Sequence, residues 1–318
     1  MSLTTATATR SLLTATNRRE LRELFAECVS FDEPLAPLTS WRVGGPADAL
    51  VTVHDEGRLA ALLRFCLRRR MPWWVVGAGS NVLIGDGGVR GVVVRLAGTF
   101  NEVHVLAADS KVTVEAGGSA NMALVTAKAA SAGASGVDSL AGIPGTVGGS
   151  LRMNAGTDRE FGDFISAVWV QSPSRPEPHE VGVAYFYRRS TLDRDAIVAR
   201  AVLEFGREQS EQVRRELQSR LVRRKQTQPI ALPNAGSCFR NPAGEKAARL
   251  IEAVGAKGWR EGGAEISTMH ANFINNVGGA TAKDVATLLA RVRRAVHERC
   301  GVELQLEVHL VGVFIDAA

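Results

Sequence analysis

The sequence predicts a mixed α+β fold divided among more than one domain. Its 318 residues exceed the length that a single hydrophobic core usually serves, so two or three domains are expected. Some segments place apolar residues at helical spacing, and others alternate apolar with polar residues as strands do. Hydrophobic residues make up 45% of the chain and charged residues 22%, a balance typical of globular proteins.

Helices and strands are predicted in mixed order over the first two thirds of the chain. The predicted helices span residues 17–29, 56–70 and 120–132. The predicted strands span residues 49–53, 73–76, 91–96, 103–105, 112–115, 168–171 and 197–205. Helical spacing places one stripe of the second helix inward, consisting of Leu59, Leu62, Leu63, Cys66 and Leu67. We interpret Arg68 to Arg70 as the solvated end of that helix, where cations suit the helix dipole.

Three further helices are predicted in the last third. A charged helix over residues 208–224 places a domain junction near residue 206. A second helix spans residues 244–254. The third spans residues 281–300; Thr281 and Asp284 have capping-box spacing at its start, and Gly301 ends it.

The chain ends on a predicted strand, and the pattern as a whole suggests three divisions. Residues 302–310 alternate strictly, which places Glu303, Gln305, Glu307 and His309 on one polar face. We predict a tail and helix at residues 1–29, two α+β subdomains at about 30–98 and 99–205, and a smaller α+β domain at 206–318.

Composition and charge exclude several classes of protein. The net charge of +5 and pI of about 9.3 favour small anionic ligands, but no basic block indicates a nucleic-acid partner. No run of about 18 apolar residues predicts a membrane span. The four cysteines are far apart without a C-x-x-C pair, so we expect neither a metal site nor a disulfide framework, and a reducing, cytoplasmic setting.

The N-terminal 19 residues are rich in Ser, Thr and Ala. They lack the apolar core of a secretory signal. A transit peptide has a similar composition, but we interpret the segment as a disordered tail.

A polar turn near residue 237 is the first candidate for chemistry. Residues 235–242 read Ala-Gly-Ser-Cys-Phe-Arg-Asn-Pro, with Gly236 and the Asn-Pro pair marking turns at either end. Ser237, Arg240 and Asn241 offer a hydroxyl, a fixed cation and an amide. An active-site loop needs such groups, although an ordinary polar turn has the same composition.

Two glycine-rich loops are candidates for binding a phosphorylated ligand. Residues 77–81 read Gly-Ala-Gly-Ser-Asn after a strand, but Val82 replaces the third glycine of a dinucleotide-binding fingerprint and no helix follows directly. The loop could form an anion-binding nest for a pyrophosphate or simply a tight β-turn. Residues 138–156 carry so many glycines that close backbone contact with a flat or phosphorylated ligand is the better interpretation.

Seven segments in a fixed order resemble a known family. They are residues 41–47, 77–81, 142–149 with Asn154-Ala155-Gly156, 187–190 (Tyr-Arg-Arg-Ser), 236–242, 270–273 (His-Ala-Asn-Phe) and 304–308 (Leu-Gln-Leu-Glu-Val). Together they resemble the UDP-N-acetylenolpyruvoylglucosamine reductases over about residues 30–312. The glycine motifs alone are typical of the wider flavoprotein superfamily of the vanillyl-alcohol oxidase type. The later motifs are specific to the reductases.

The resemblance implies an FAD-binding domain of the vanillyl-alcohol oxidase type at residues 30–205 and a substrate-binding domain at 206–318. It further implies a cytoplasmic, monomeric enzyme of peptidoglycan synthesis, and so a role in cell shape and division. In that reaction NADPH reduces a non-covalently bound FAD. The flavin then reduces UDP-N-acetylenolpyruvoylglucosamine to UDP-N-acetylmuramate.

Site residues carry over by motif. Arg188 would polarise the substrate carboxylate, Ser237 would donate a proton, and Glu307 would assist as charge builds on the carboxylate. The implied FAD contacts are Gly77, Ala78, Gly79, Ser80, Asn81, Gly142, Ile143, Pro144, Gly145, Gly148, Gly149, Asn154 and Gly156. The implied substrate contacts are Tyr187, Lys225, Asn241 and His270.

Some features depart from the family or leave alternatives open. Residues 157–159 read Thr-Asp-Arg where many members differ. No tyrosine-bearing insertion lies between Ser190 and Lys225, which fits the subgroup of the family that lacks this loop. Cys238 is a rival proton donor to Ser237. The alternative functions are another flavin oxidoreductase of the superfamily, acting on a small hydroxy acid or alcohol, and a nucleotide-binding scaffold without redox chemistry.

Overall fold

The computed structural model describes residues 11–315, so the first ten residues, which form much of the predicted tail, lie outside it. Its helices are α1 Ala15–Phe25, α2 Glu56–Arg68, α3 Met122–Ser131, α4 Val147–Met153, α5 Ser210–Thr227, α6 Ala247–Ala253 and α7 Ala282–Cys300. Its strands are β1 Val29–Pro34, β2 Pro46–Val53, β3 Trp73–Val76, β4 Val82–Ile84, β5 Val89–Leu96, β6 Val103–Ala108, β7 Lys111–Gly117, β8 Ile165–Gln171, β9 His179–Glu180, β10 Tyr185–Phe186, β11 Arg189–Ser190, β12 Ile197–Gly206, β13 Arg260–Glu261, β14 Ala264–Ile266, β15 Ile274–Asn276 and β16 His309–Val311.

The first unit, residues 11–101, is built on a four-stranded sheet in the order β1-β2-β5-β3. Strands β2, β5 and β3 are parallel, and β1 is antiparallel to β2. Their apolar side chains pack against α2 and against Leu21 and Phe25 of α1. Because parallel strands end at the same edge of a sheet, the Gly77–Asn81 loop after β3 lies at the edge where ligands bind in such sheets.

The second unit, residues 103–227, is an antiparallel sheet in the order β6-β7-β12-β8-β9, covered by α3, α4 and α5. Val213 of α5 is fully buried in this core, together with residues of α3 and β12. The predicted junction near residue 206 comes before this helix. Since α5 packs on the second core, we propose that the third domain begins after Thr227.

The third unit, residues 228–315, packs α6 and α7 against the short sheet β13-β14-β15. Its core also takes in Trp41, Val43 and Leu83 of the first unit. The chain then returns to the first unit, where β16 pairs in parallel with β4. Buried Trp41 donates its indole N–H to the carbonyl of Ile274 at 2.7 Å, so the first and third units share one core.

Local signals located several elements correctly. Strand β3 has the predicted bounds, and α7 has the predicted capping box between Thr281 and Asp284, with Gly301 left-handed at its end. Leu59, Leu62, Leu63 and Cys66 are buried as predicted. The prediction that Leu67 faces inward is wrong, because its side chain is 57% exposed. Phe65 fills the core in its place.

Three predicted elements differ in the structure. The helix predicted over residues 17–29 ends at Phe25, because Ala26 has a positive φ of 47° and the chain turns into a 3-10 segment before β1. The loop predicted over residues 138–156 contains helix α4, whose start is capped by Thr146. The strand predicted over residues 302–310 forms only in part. Leu306 makes a single bridge to Phe239, the chain bends at Glu307 and Val308, and the ladder is confined to His309–Val311.

Replacing Trp41 with Phe removes the hydrogen bond to Ile274 and leaves that buried carbonyl without its donor. We expect a loss of about 1–3 kcal/mol in the free energy of unfolding, measured by urea denaturation. Trp74→Phe is the control, because the half-buried Trp74 indole has no hydrogen-bond partner among residues 11–315. Equal losses in the two variants would show that the hydrogen bond does not hold the units together.

Candidate active site

A charged hairpin tip supplies the first functional side chain. Strands β10 and β11 pair around the two-residue turn Tyr187-Arg188, and Arg188 has a φ of 57°. A positive φ is uncommon for a side chain with a Cβ and is found where surrounding contacts enforce it. Here the contacts are on the guanidinium: Nη2 donates to the carbonyl of Gly156 at 3.0 Å, and Nη1 lies 3.5 Å from Glu160 Oε1.

The third contact of Arg188 joins two distant parts of the chain. Its Nε donates to Oε1 of Glu307 at 2.9 Å, across 119 residues of sequence. Each side chain is only 17% exposed. The structure therefore brings together two of the three residues for which the resemblance implied a catalytic role.

Ser237, the third residue with an implied catalytic role, lies in a loop that is hydrogen-bonded to the Glu307 backbone. The N–H of Glu307 donates to the carbonyl of Cys238 at 2.8 Å. Gly236, with a φ of 72°, turns the chain just before Ser237. The Ser237 side chain is half-buried, and its hydroxyl has no partner among the described residues. This hydroxyl is thus free to interact with a ligand.

Asn272 fixes the Ser237 loop, a role that the sequence analysis missed. Its side chain is 4% exposed. The amide accepts from the N–H of Phe239 at 3.0 Å and donates to the carbonyl of Phe239 at 2.8 Å, while the Asn272 carbonyl accepts from Cys238 at 2.8 Å. The motif His-Ala-Asn-Phe contained the signal, but only the fold shows which residue it binds.

The two glycine-rich loops lie against each other. The hydroxyl of Ser80 donates to the carbonyl of Pro144 at 3.1 Å. A Cβ on Gly77 would lie 2.9 Å from Oγ1 of Thr146, and Gly145 has a φ of 129°. Glycine is therefore required here partly by packing between the loops. A cavity of about 240 Å³ opens beside Gly77 and Ala78.

Asn81 connects the glycine loops to the charged pair. Its side-chain amide donates to the carbonyl of Glu307 at 3.2 Å, and its own carbonyl accepts from the N–H of His309 at 3.0 Å. The first glycine loop and the segment carrying Glu307 thus form one continuous wall.

The loops present free donors that suit a phosphorylated cofactor. The backbone N–H groups of Ala78, Gly79 and Ser80, and those of Gly142 and Gly145, donate to no acceptor among residues 11–315. Adjacent backbone N–H groups in glycine turns bind anions. The donor set therefore fits the pyrophosphate of a dinucleotide such as FAD.

Four of the residues predicted to contact the cofactor make hydrogen bonds within the protein. Asn154 is 2% exposed; its amide contacts Glu160, donates to the carbonyl of Phe186 at 3.1 Å and accepts from Gly162. Gly156 accepts from Arg188. The N–H groups of Gly148 and Gly149 donate to Gly118 and to Thr146. These residues shape the site, and their direct contact with a cofactor stays a prediction.

The predicted substrate contacts lie further out. Tyr187 is 46% exposed beneath the Arg188 guanidinium, and Lys225 is exposed on α5. The side chain of Asn241 accepts from the N–H of Ala247 and so fixes the start of α6. His270 packs on Phe273, and burial lowers the pKa of its imidazole. None of the four contacts Arg188 or Glu307 by hydrogen bond.

Arg224, which the sequence analysis did not select, reaches the second glycine loop in place of Lys225. Its Nη1 donates to the carbonyl of Ala141 at 3.2 Å. A Cβ on Gly142 would lie 2.9 Å from Cδ of Arg224. A cation beside this loop adds to its suitability for an anion.

Burial and neighbouring charges have opposite effects on the pKa of Glu307. Burial raises the pKa of its carboxyl, while the positive charges of Arg188 and Arg240 act to lower it. Burial also raises the pKa of the Cys238 thiol to about 12. Since Cys238 is 1% exposed, its thiol is held inside the core while the adjacent Ser237 reaches the surface.

The chain is similar to proteins of one known family along most of its length. Residues 228–311 match the sequence model of the UDP-N-acetylenolpyruvoylglucosamine reductase C-terminal domain, and residues 47–168 match an FAD binding domain. A reductase of that name from Anaeromyxobacter sp. (strain Fw109-5) is 43% identical over 285 residues, 89% of this chain and 88% of the relative. One from Moorella thermoacetica is 42% identical over 88% of this chain and 92% of its own.

The chain belongs to the UDP-N-acetylenolpyruvoylglucosamine reductase family. The crystal structure of a family member from Thermus caldophilus superposes with a TM-score of 0.76 at 36% identity, over 89% of this chain and 98% of that one. The expected α+β fold with an N-terminal FAD-binding domain is therefore confirmed.

The His, Cys, Asp and Glu side chains of residues 11–315 form no group that could hold a metal ion. No helix in the same range is long and apolar enough to cross a membrane.

A double-mutant cycle should show strong coupling in the Arg188–Glu307 pair. Arg188→Met leaves the Glu307 carboxylate without its cation, and Glu307→Gln leaves Arg188 with only the longer contact to Glu160. The double variant should therefore lose less stability than the two single losses together. We expect an interaction energy of about 0.5–3 kcal/mol from urea denaturation. The exposed pair Arg19–Glu23 is the control and should give no more than about 0.5 kcal/mol. Additive losses at Arg188 and Glu307 would show that the pair does not hold the site.

Proposed function

We propose that this protein is an FAD-dependent enzyme that uses NADPH to reduce the enolpyruvyl ether of UDP-N-acetylenolpyruvoylglucosamine to UDP-N-acetylmuramate. Family membership supports the substrate and the reaction. The single observation that carries the proposal is the Arg188–Glu307 ion pair, which lies against the glycine loops and is joined through the Glu307 backbone to the loop that carries Ser237. The reaction would serve the synthesis of peptidoglycan precursors in the cytoplasm, with the enzyme acting as a monomer and with roles in cell shape and division.

The glycine loops would hold FAD without a covalent link. The free N–H groups at residues 78–80, 142 and 145 would bind the pyrophosphate, and Arg224 would add a positive charge. FAD bound there would supply the hydride transfer from NADPH to the substrate. The 77–81 loop contains neither histidine nor cysteine for covalent attachment.

Arg188 and Glu307 would stabilise charge on the substrate. Addition of hydride to the enol ether places a negative charge on the adjacent carbon and, by conjugation, on its carboxylate. A fixed guanidinium beside that carboxylate stabilises the charge without having to reorganise. Glu307 orients Arg188 through the 2.9 Å hydrogen bond.

Ser237 would deliver the proton that completes the reduction. Its hydroxyl is accessible and unpartnered, which a general acid requires. Cys238 is the poorer candidate, because its thiol is packed in the core of the third unit. Tyr187, Lys225, Asn241 and His270 would contact the nucleotide-sugar part of the substrate or NADPH after closure of the site.

The flavin itself gives the most direct test. The purified protein should be yellow, and acid precipitation should release all of its flavin into the supernatant. Under anaerobic conditions NADPH should bleach the flavin, and UDP-N-acetylenolpyruvoylglucosamine should restore its absorbance with formation of UDP-N-acetylmuramate. The proposal would be contradicted if the flavin absorbance were restored instead by the oxidised form of a small hydroxy acid or alcohol. A purified protein without flavin would contradict it as well.

Ser237→Ala should separate the two halves of the reaction. The change removes one hydroxyl and little volume, so flavin content and bleaching by NADPH should be nearly normal. Turnover should fall by about 10²–10⁴, as is usual when a general acid is lost. Ser237→Cys should retain more activity, since a thiol also donates a proton. Cys238→Ala is the matched neighbour and should keep turnover; the reverse pattern would assign the proton to Cys238.

A further inference from the structure

Arg240 lies beside the segment that carries Glu307. Phe239 and Leu306 form an antiparallel bridge, and both contact the core of the third unit. The N–H of Arg240 donates to the carbonyl of Gln305 at 2.9 Å. This hydrogen bond holds the backbone of Arg240 against that of Gln305, two residues before Glu307.

No hydrogen bond or ion pair to the guanidinium of Arg240 is made by residues 11–315. Its Nε is buried and makes no hydrogen bond, and the described residues contain no ion pair to Arg240. Buried donors in folded proteins are nearly always satisfied, so such an atom calls for an acceptor that the protein does not itself supply. Arg188 is the opposite case, since each of its three nitrogens faces an acceptor.

The site contains a positive charge, that of Arg240, which has no paired carboxylate among residues 11–315. Arg188 is balanced by the carboxylates of Glu307 and Glu160. Within residues 11–315, no carboxylate lies at ion-pair distance from Arg240. Its positive charge nevertheless acts to lower the pKa of both Glu307 and His309. An anionic group entering beside Glu307 would therefore meet a cation whose charge is not already neutralised.

We propose that Arg240 is a second substrate-binding cation, which receives the enolpyruvyl carboxylate together with Arg188. A guanidinium with a free edge matches a carboxylate in shape and charge. Binding there would satisfy the orphaned Nε and hold the carboxylate where Glu307 and Ser237 also reach it. The inference rests on the proposed function, because it takes its ligand from that reaction.

The test measures binding of two ligands to the flavin-loaded enzyme by the change in flavin absorbance. Arg240→Met should weaken binding of UDP-N-acetylenolpyruvoylglucosamine by about 10- to 100-fold, which corresponds to loss of a charged hydrogen bond. Binding of UDP-N-acetylglucosamine, which lacks the enolpyruvyl carboxylate, should be unchanged. Flavin content and reduction by NADPH should also be unchanged. Arg249→Met, on the exposed face of α6, is the matched control and should alter neither affinity.

Several results would overturn the inference. Unchanged affinity for both ligands in Arg240→Met, or an equal loss for both, would remove Arg240 from the carboxylate site. If Arg240→Met fails to bind flavin, Arg240→Lys becomes the deciding variant. It keeps the charge, so it should retain flavin and bind the carboxylate ligand with an affinity between wild type and methionine. Loss of flavin there too would assign Arg240 to folding.

A double variant separates direct contact from action through Glu307. If Arg240 touches the substrate, Arg240→Met should weaken binding further in a Glu307→Gln background. No further weakening would show that Arg240 acts only on Glu307, which overturns the inference. The proposed function itself would be refuted if UDP-N-acetylenolpyruvoylglucosamine did not reoxidise the reduced flavin of the wild-type enzyme. That result is distinct from any effect confined to Arg240 variants.

Discussion

The ion pair between Arg188 and Glu307 is the interaction on which the rest of the site depends. Both side chains are largely withdrawn from water, and removing charges from water is costly unless other contacts compensate. Those contacts come from several segments: the Gly156 carbonyl and Glu160 on Arg188, and the backbone of Cys238 and the Asn81 amide on the Glu307 segment. Assembling this pair therefore positions the second glycine loop, the Ser237 loop and the first glycine loop together.

The fold assembles this site by packing its third unit against its first. The third unit completes its core with Trp41 and Leu83 of the first unit, and β16 pairs with β4. The segment carrying Glu307 lies between these contacts, so it is tied on one side to the Ser237 loop and on the other to Asn81. The hairpin of Arg188 approaches from the second unit. The site is thus built where all three units meet, which explains why no single motif contains it.

Sequence reasoning succeeded where the determining forces are local. The start and end of α7 follow from Thr281, Asp284 and Gly301, whose backbone and capping preferences act within a few residues. It failed where the partner is distant or absent. Residues 302–310 alternate like a strand, but only their last part finds a neighbouring strand. Helix α4 was missed because Gly148 and Gly149 disfavour helix, whereas the Thr146 cap and packing against β12 stabilise it.

The site was predictable only in part, for a similar reason. The resemblance selected Arg188, Ser237 and Glu307, but no periodicity indicates that residues 119 positions apart share a hydrogen bond. The roles of Asn272 and Arg224 depend on contacts with Phe239 and Ala141 that only the fold creates. Several glycines predicted as ligand contacts are also required by packing within the protein, as at Gly77 against Thr146.

The most direct test of this account is stopped-flow measurement of the two half-reactions in Glu307→Gln. If the pair stabilises charge on the substrate, reoxidation of the reduced flavin by UDP-N-acetylenolpyruvoylglucosamine should slow by about 10²–10³. Reduction of the flavin by NADPH should keep its wild-type rate, because that step places no charge on the substrate carboxylate. A parallel fall in both rates would contradict the account and assign Glu307 to folding or flavin binding.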